Sequence, residues 1–135
     1  MARRLIVDTG VLVAAERQRR LVAAGIRADD DLSIAAVTVA ELRTGIELAS
    51  ESQRAARAEF LVGVLEALPV VPYDVQVAEA HGRLLAHVHR EGRRRGAHDL
   101  IVAATALATD RIVLTTDRAA RFDELPGVRA VLVEE

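Results

Sequence analysis

Short apolar runs alternate along the chain with longer stretches in which apolar residues recur at helical spacing. The short runs predict buried strands at residues 4–8, 32–36, 70–71, 112–115 and 129–133. The longer stretches predict helices at about 9–27 with a break near Gly25, and at 38–49, 53–68, 74–91 and 98–109. This alternation predicts an α/β fold with a doubly wound, mostly parallel central sheet flanked by helices.

Length and continuity predict a single domain over residues 1–135. A chain of 135 residues is long enough to bury one real core. No internal repeat, linker or low-complexity tract divides it. No stretch approaches the roughly 18 uninterrupted apolar residues of a membrane span. The apolar start resembles a signal peptide only superficially, because Asp8 would interrupt its hydrophobic region, so we expect a cytoplasmic protein and no membrane partner.

Composition removes several kinds of chemistry. The chain has no cysteine, which excludes disulfides, thiolate zinc sites and cysteine nucleophiles. It also has no lysine, so a phosphoacceptor receiver domain, which needs an active-site lysine, is excluded. The triplet Asp8-Thr9-Gly10 occurs in aspartic proteases, but those are all-β proteins, and a haloacid-dehalogenase-type phosphatase needs a second aspartate where Gly10 stands.

All 18 basic residues are arginines, although the net charge is −2. They are densest at Arg93, Arg94 and Arg95, in a segment bracketed by Gly92 and Gly96. Such a run binds phosphate in some proteins and is simply a solvated loop in others, and the net charge does not decide between them. These three arginines are therefore candidate RNA contacts, with the solvated loop as an equal alternative.

Four acidic residues stand where an apolar run ends or a helix begins, namely Asp8, Glu41, Asp99 and Asp117. In a parallel α/β sheet such positions converge on one edge even when they are distant in sequence. Crowded carboxylates repel one another unless a divalent cation neutralises them, and Mg²⁺ or Mn²⁺ does so with oxygen ligands. A water bound to such an ion can attack a phosphodiester. The hydroxyls of Thr9, Thr115 and Thr116 could position that water or bond a phosphate oxygen, although threonine beside a strand is usually explained by its β-propensity alone.

Three of these acids also have a purely structural explanation. The pair Thr38 and Glu41 has the form of a helix capping box. Asp99 suits the first turn of a helix, and Asp117 suits an N-cap. Asp8 has no such explanation, because it follows a buried strand directly, and it is the strongest functional candidate.

Four segments resemble the PIN-domain ribonucleases and, in their order and spacing, the VapC toxins of bacterial toxin–antitoxin pairs: Val7-Asp8-Thr9, residues 37–45, residues 98–106, and Thr115-Thr116-Asp117 with Phe122. The resemblance implies a PIN-like fold, an endoribonuclease dependent on Mg²⁺ or Mn²⁺, a homodimer, and inhibition by a VapB-like antitoxin. It assigns metal binding to Asp8, Glu41, Asp99 and, through water, Asp117, with Thr115 as the accompanying hydroxyl.

Two positions depart from the family pattern. Gly10 stands where such toxins often carry serine, which removes a hydroxyl from the site. Arg121 stands where an acid often precedes the last phenylalanine, so Asp117, or else Asp123, must supply the fourth charge. A non-catalytic PIN-like module that binds RNA or protein remains the alternative function.

Overall fold

The computed structural model describes residues 2–18 and 26–133 of the chain and contains a central parallel sheet. Its strands within these ranges are β1 (Arg4–Val7), β2 (Asp31–Ala35), β3 (Val70–Val71), β4 (Ile112–Thr115) and β5 (Ala130–Leu132). They lie in the order β3-β2-β1-β4-β5, and every neighbouring pair is parallel. The predicted α/β fold is confirmed.

The helices of the described ranges are α1 (Thr9–Gln18), α2 (Ala36–Glu47), α3 (Glu51–Ala67), α4 (Val75–Glu91) and α5 (Ala97–Ala108). Two short 3-10 turns, Arg118–Ala120 and Phe122–Glu124, separate β4 from β5. The predicted break near Gly25 lies outside the described residues, and residues 26 and 27 are not helical. None of these helices is long and apolar enough to cross a bilayer.

The ends of α4 form as the sequence predicts, whereas the start of α2 does not. Asp74 caps α4 by accepting a hydrogen bond from the Val77 N–H, and Gly92 ends it in a left-handed conformation at φ 71°. In contrast, α2 begins at Ala36, with Ala35 as its N-cap and no side-chain cap. The predicted capping box is therefore wrong, because Thr38 already lies inside the first turn.

Helices cover both faces of the sheet, as expected for parallel strands. On one face Ile6 and Val113 pack in a cluster with Leu84 of α4 and Val102 of α5. On the other face Leu5 and Leu114 belong to a cluster with residues of α1 and α3, including Leu12 and Val64. Because these side chains are closely packed on both faces, the positions of the strand ends relative to one another are fixed.

The strand order reverses at β1, which has β2 on one side and β4 on the other. In open parallel sheets such a switch point leaves a crevice beyond the carboxyl ends of the strands. The register pairs Val7 with Leu114, and the Asp8 N–H donates to the Leu114 carbonyl at 2.8 Å. The residues that follow β1 and β4 are thereby brought together.

Candidate active site at the carboxyl edge of the sheet

An open cleft of about 360 Å³ lies at this switch point. Its lining consists of Asp8, Thr9, Gly10, Val13, Ala14, Arg17, Glu41, Asp99, Thr116 and Asp117. All four acids singled out in the sequence line it, although they come from four separate segments of the chain.

Asp8 is the most buried acid of the cleft, with 7% of its surface exposed. Its Oδ1 accepts a hydrogen bond from the Thr9 N–H at 2.9 Å, and its Oδ2 accepts one from the Thr115 hydroxyl at 2.8 Å. Burial raises the pKa of the Asp8 carboxyl, the two hydrogen bonds oppose that rise, and the nearby charges of Glu41 and Asp117 add to it. The side chain is thus held in place but is electrostatically unfavourable when ionised.

Glu41 lies on α2 and turns toward Asp8. Its Oε1 accepts a hydrogen bond from the Thr9 hydroxyl at 2.7 Å, and its Oε2 lies 3.3 Å from His98 Nδ1. Thr38, the supposed cap, is fully buried, and its hydroxyl oxygen lies 3.3 Å from that of Thr9. The Glu41 side chain therefore belongs to the cleft and does not cap its own helix.

Asp99 lies in the first turn of α5, after the N-cap residue Gly96. Burial, followed by the charges of Asp8, Asp117 and Glu41, raises the pKa of Asp99 to about 6, and His98 opposes the rise. A Cβ on residue 96 would lie 2.8 Å from Asp99 Oδ2, so glycine leaves room for this carboxylate. Burial and the neighbouring carboxylates together therefore make the ionised form of Asp99 unfavourable in the absence of a cation.

Asp117 is both a helix cap and a wall of the cleft. Its Oδ1 accepts a hydrogen bond from the Ala120 N–H at 3.1 Å, so the predicted N-cap is confirmed for the 3-10 turn Arg118–Ala120. The Asp117 N–H donates to the Thr115 hydroxyl oxygen at 3.0 Å, and that hydroxyl donates to Asp8. Thr115 thus links two of the acids, whereas Asp123 is exposed and does not line the cleft.

The donor set suits a hard divalent cation. All four acids offer oxygen atoms, which Mg²⁺ and Mn²⁺ prefer, and their mutual repulsion favours a cation in the cleft. Within residues 2–18 and 26–133, however, no three Asp, Glu or His side chains are arranged as a ready-made metal-binding group. The fit to a hard cation therefore depends on the oxygen donors and their mutual repulsion, and not on a preformed set of ligands.

The arginine-rich segment contains side chains in two environments. Arg93 and Arg94 are exposed, and among the described residues Arg93 forms only a long ion pair, with Glu124 at 3.8 Å. The Arg95 side chain is 3% exposed, and its Nη1 donates to the carbonyls of Ala120 and Arg121 at 2.8 Å each. Arg95 therefore connects the segment before α5 to the turn that Asp117 caps. Because its guanidinium is buried in this way, Arg93 and Arg94 remain as the candidate RNA contacts of the segment.

Replacing Arg95 by alanine is expected to lower the free energy of unfolding by about 2 kcal/mol. Two charge-assisted hydrogen bonds are lost. The loss of stability is reduced because Nε and Nη2 of the buried guanidinium have no hydrogen-bond partner within residues 2–18 and 26–133. Chemical denaturation monitored by circular dichroism measures the change. The exposed neighbour supplies the control, since Arg94→Ala should leave the midpoint unchanged. Equal midpoints for both variants would contradict the structural role of Arg95.

One wall of the cleft was identified only in part from the sequence, which pointed to Thr9 and Gly10 but not to Val13, Ala14 and Arg17. Thr9, Gly10, Val13, Ala14 and Arg17 all come from α1 and line the cleft together. Their spacing of one, four, five and eight residues from Thr9 places them on one helical face. This helical spacing, counted forward from Asp8, is the sequence signal from which the whole wall could have been predicted.

The fold and this cleft define a PIN domain, and comparison with known proteins agrees. The model of the PIN domain family matches residues 5–128, so the chain belongs to that family. Within it, the chain groups with the VapC ribonucleases. It is 35% identical over 127 residues to ribonuclease VapC5 of Mycobacterium tuberculosis, a match that covers 93% of this chain and 90% of that protein. It is 27% identical over 130 residues to ribonuclease VapC of Rickettsia bellii, with 96% of each covered.

Solved structures show the same fold. The VapBC-5 toxin–antitoxin structure from Mycobacterium tuberculosis contains a chain that matches with a TM-score of 0.78 and 28% identity, over 96% of this chain and 98% of that one. A chain of VapBC2 from Rickettsia felis, crystallised with a promoter DNA fragment, matches with a TM-score of 0.83, over 97% and 99%. At 16% identity the second match supports the fold alone.

Proposed function

We propose that the protein is an endoribonuclease toxin that hydrolyses RNA phosphodiester bonds in the acidic cleft and depends on Mg²⁺ or Mn²⁺. The observation that carries the proposal is the convergence of Asp8, Glu41, Asp99 and Asp117 on one open cleft. Burial of Asp8 and the raised pKa of Asp99 indicate a site that is under strain without a cation. Membership of the VapC ribonucleases supports RNA as the substrate.

Asp8, Glu41 and Asp99 are the proposed metal ligands, with Asp117 acting through water. When bound, the ion supplies a water of lowered pKa and draws charge away from the phosphate. The Thr115 hydroxyl holds the Asp8 carboxylate through Oδ2, and the Thr9 hydroxyl holds Glu41 through Oε1. These bonds orient the carboxylates before the ion and the RNA arrive, which reduces the reorganisation required during the reaction.

Cleavage of total RNA by the purified protein tests the proposal. We expect discrete fragments in the presence of Mg²⁺ or Mn²⁺, and none after excess EDTA or in the Asp8→Asn variant. Cleavage that survives Asp8→Asn would be due to a contaminant or to another site. Absence of cleavage together with absence of Mn²⁺ binding would support a non-catalytic PIN-like module that binds RNA or protein.

Arg93 and Arg94 are the proposed contacts to the RNA backbone. The double variant Arg93→Ala/Arg94→Ala should weaken binding of a single-stranded RNA and lower the slope of log K against log salt by about 1.4, since each phosphate contact contributes about 0.7. Fluorescence anisotropy over a series of salt concentrations measures this slope. A control variant, Arg83→Ala/Arg129→Ala, removes two other exposed arginines. Identical slopes for both double variants would assign the 93–94 segment to another role.

Inhibition by a VapB-like antitoxin is proposed on the same family grounds. Several similar solved structures are described as VapBC complexes, including those from Mycobacterium tuberculosis and Salmonella typhimurium. We further propose a homodimer that acts on cytoplasmic RNA. Co-expression with the product of a neighbouring gene, followed by co-purification and a cleavage assay, tests the antitoxin directly.

A further inference from the structure

Threonine hydroxyls surround the acidic cleft, and most are already engaged by protein groups. The Thr9 hydroxyl donates to Glu41, and the Thr115 hydroxyl donates to Asp8 while accepting from the Asp117 N–H. Thr116 also lines the cleft, directly after β4. Across the described part of the chain, its hydroxyl forms no hydrogen bond with another protein group. Thr116 therefore presents a donor to the cleft that the carboxylates do not use.

Gly10 leaves space for this hydroxyl. A Cβ built on residue 10 would lie 2.7 Å from Thr116 Oγ1, closer than real Cβ atoms come to another atom. Both residues line the cleft, so the volume that a side chain at residue 10 would fill holds the Thr116 hydroxyl instead. The absent side chain at residue 10 of α1 and the Thr116 hydroxyl, which no described residue engages, thus form one local arrangement.

We propose that Thr116 is a substrate-contacting residue, whose hydroxyl donates a hydrogen bond to a non-bridging oxygen of the scissile phosphate. A phosphodiester brings negative charge into a cleft whose other polar side chains are four carboxylates, the Thr9 hydroxyl, which already donates to Glu41, and Arg17 on the α1 wall. Ionised carboxylates cannot donate, so few hydrogen-bond donors are available to the phosphate. A free hydroxyl supplies such a donor, and hydrogen bonds to charged acceptors are stronger than neutral ones. The inference rests on the proposed ribonuclease activity and assigns a further residue to it.

Side-chain exchange at residue 116 tests the proposal in the full-length protein. Thr116→Val keeps the shape and removes the hydroxyl, and it should lower kcat/KM for the cleaved RNA about tenfold to a hundredfold. Thr116→Ser keeps the hydroxyl and should retain most of the activity. Mn²⁺ affinity, measured by isothermal titration, should be the same in all three proteins, because the hydroxyl binds RNA and not the ion.

Moving the hydroxyl from residue 116 to residue 10 by mutation provides a second, independent test. Gly10→Ser alone should impair cleavage, since the new side chain collides with the Thr116 hydroxyl. Adding Thr116→Ala removes that collision and places a hydroxyl on residue 10, so the double variant should cleave faster than Thr116→Ala alone. Circular dichroism melting confirms that each variant is folded.

Either of two results would overturn the proposal: wild-type cleavage by Thr116→Val, or equal damage in Thr116→Val and Thr116→Ser. If instead the proposed ribonuclease activity itself is wrong, the wild-type protein and Asp8→Asn will give the same result in the cleavage assay. In that case, binding of a single-stranded RNA oligonucleotide in Ca²⁺ decides the role of Thr116. Weaker binding by Thr116→Val supports the phosphate contact, and equal binding refutes it.

Discussion

Replacing Asp8 by asparagine is expected to reduce RNA cleavage by more than about a hundredfold. Loss of groups that merely orient metal ligands already costs about 10- to 100-fold in affinity or activity, and Asp8 is proposed as a ligand itself. The same substitution should leave the metal-free protein equally stable or more stable. Ionised Asp8 is buried near Glu41 and Asp117, so removing its charge relieves repulsion.

The local hydrogen bonds permit this substitution. An asparagine Oδ1 can accept from the Thr9 N–H, as Asp8 Oδ1 does. Its Nδ2 can donate to the Thr115 hydroxyl oxygen, which has a second lone pair besides the one that accepts from the Asp117 N–H. Asp8→Asn therefore separates the loss of charge from the loss of structure, and Asp99→Asn should behave in the same way.

Initial cleavage rates and thermal melting, measured on the same preparations, check both parts of this prediction. Asp123→Asn is the matched control, because Asp123 is an exposed acid outside the cleft. It should cleave at the wild-type rate. An Asp8→Asn protein that unfolds would show that the carboxylate has a structural role, and an equal loss in Asp123→Asn would remove the distinction between cleft and surface acids.

The fold could be predicted from the sequence because each of its signals is local. Buried parallel strands are short continuous apolar runs, and the caps of α4 depend on Asp74 and Gly92 alone. The convergence of the four acids also followed, since strand order brings residues beyond β1 and β4 to one edge. The position of a residue in the sequence was therefore enough to predict its place in the cleft wherever the strand order alone determines that place.

The roles that sequence could not predict depend on contacts between distant segments. The pair Thr38 and Glu41 has the spacing of a capping box, but the chain enters α2 two residues earlier, and Glu41 bonds to Thr9 instead. The sequence alone does not distinguish Arg95 from Arg93, yet the Arg95 side chain is buried and donates to carbonyls 25 and 26 residues away. Tertiary packing decided both cases, and a single sequence contains no local record of it.

The metal-free protein is expected to lose stability as the pH rises from about 4 to about 6.5. The pKa of Asp99 in the fold is about 6, above its ordinary value of 3.8, so the folded state binds this proton more tightly than the unfolded state does. The contribution of Asp99 to stability is therefore fully present below pH 3.8 and is lost as the pH rises through about 6. The pKa of Asp8 is also raised, which adds to the effect in the same direction.

A bound cation should reverse this trend, because it favours the ionised carboxylates. Mn²⁺ at about 100 times its Kd should stabilise the fold by about 2.7 kcal/mol near pH 7.5, which is roughly 10 °C in Tm for a domain of this size. Near pH 5 protons compete with the ion at Asp99, so the shift should be much smaller. Differential scanning fluorimetry at both pH values, with NaCl at matched ionic strength as the control, measures the two shifts.

The variant Asp99→Asn identifies the source of both effects. Without the Asp99 carboxylate, the dependence of Tm on pH in this range should flatten, and the Mn²⁺ shift should fall at pH 7.5. Asp123→Asn should retain the wild-type behaviour, since its side chain lies outside the cleft. If Mn²⁺ stabilised wild type and Asp99→Asn equally, the ion would be binding elsewhere and the cleft would lose its assignment as the metal site.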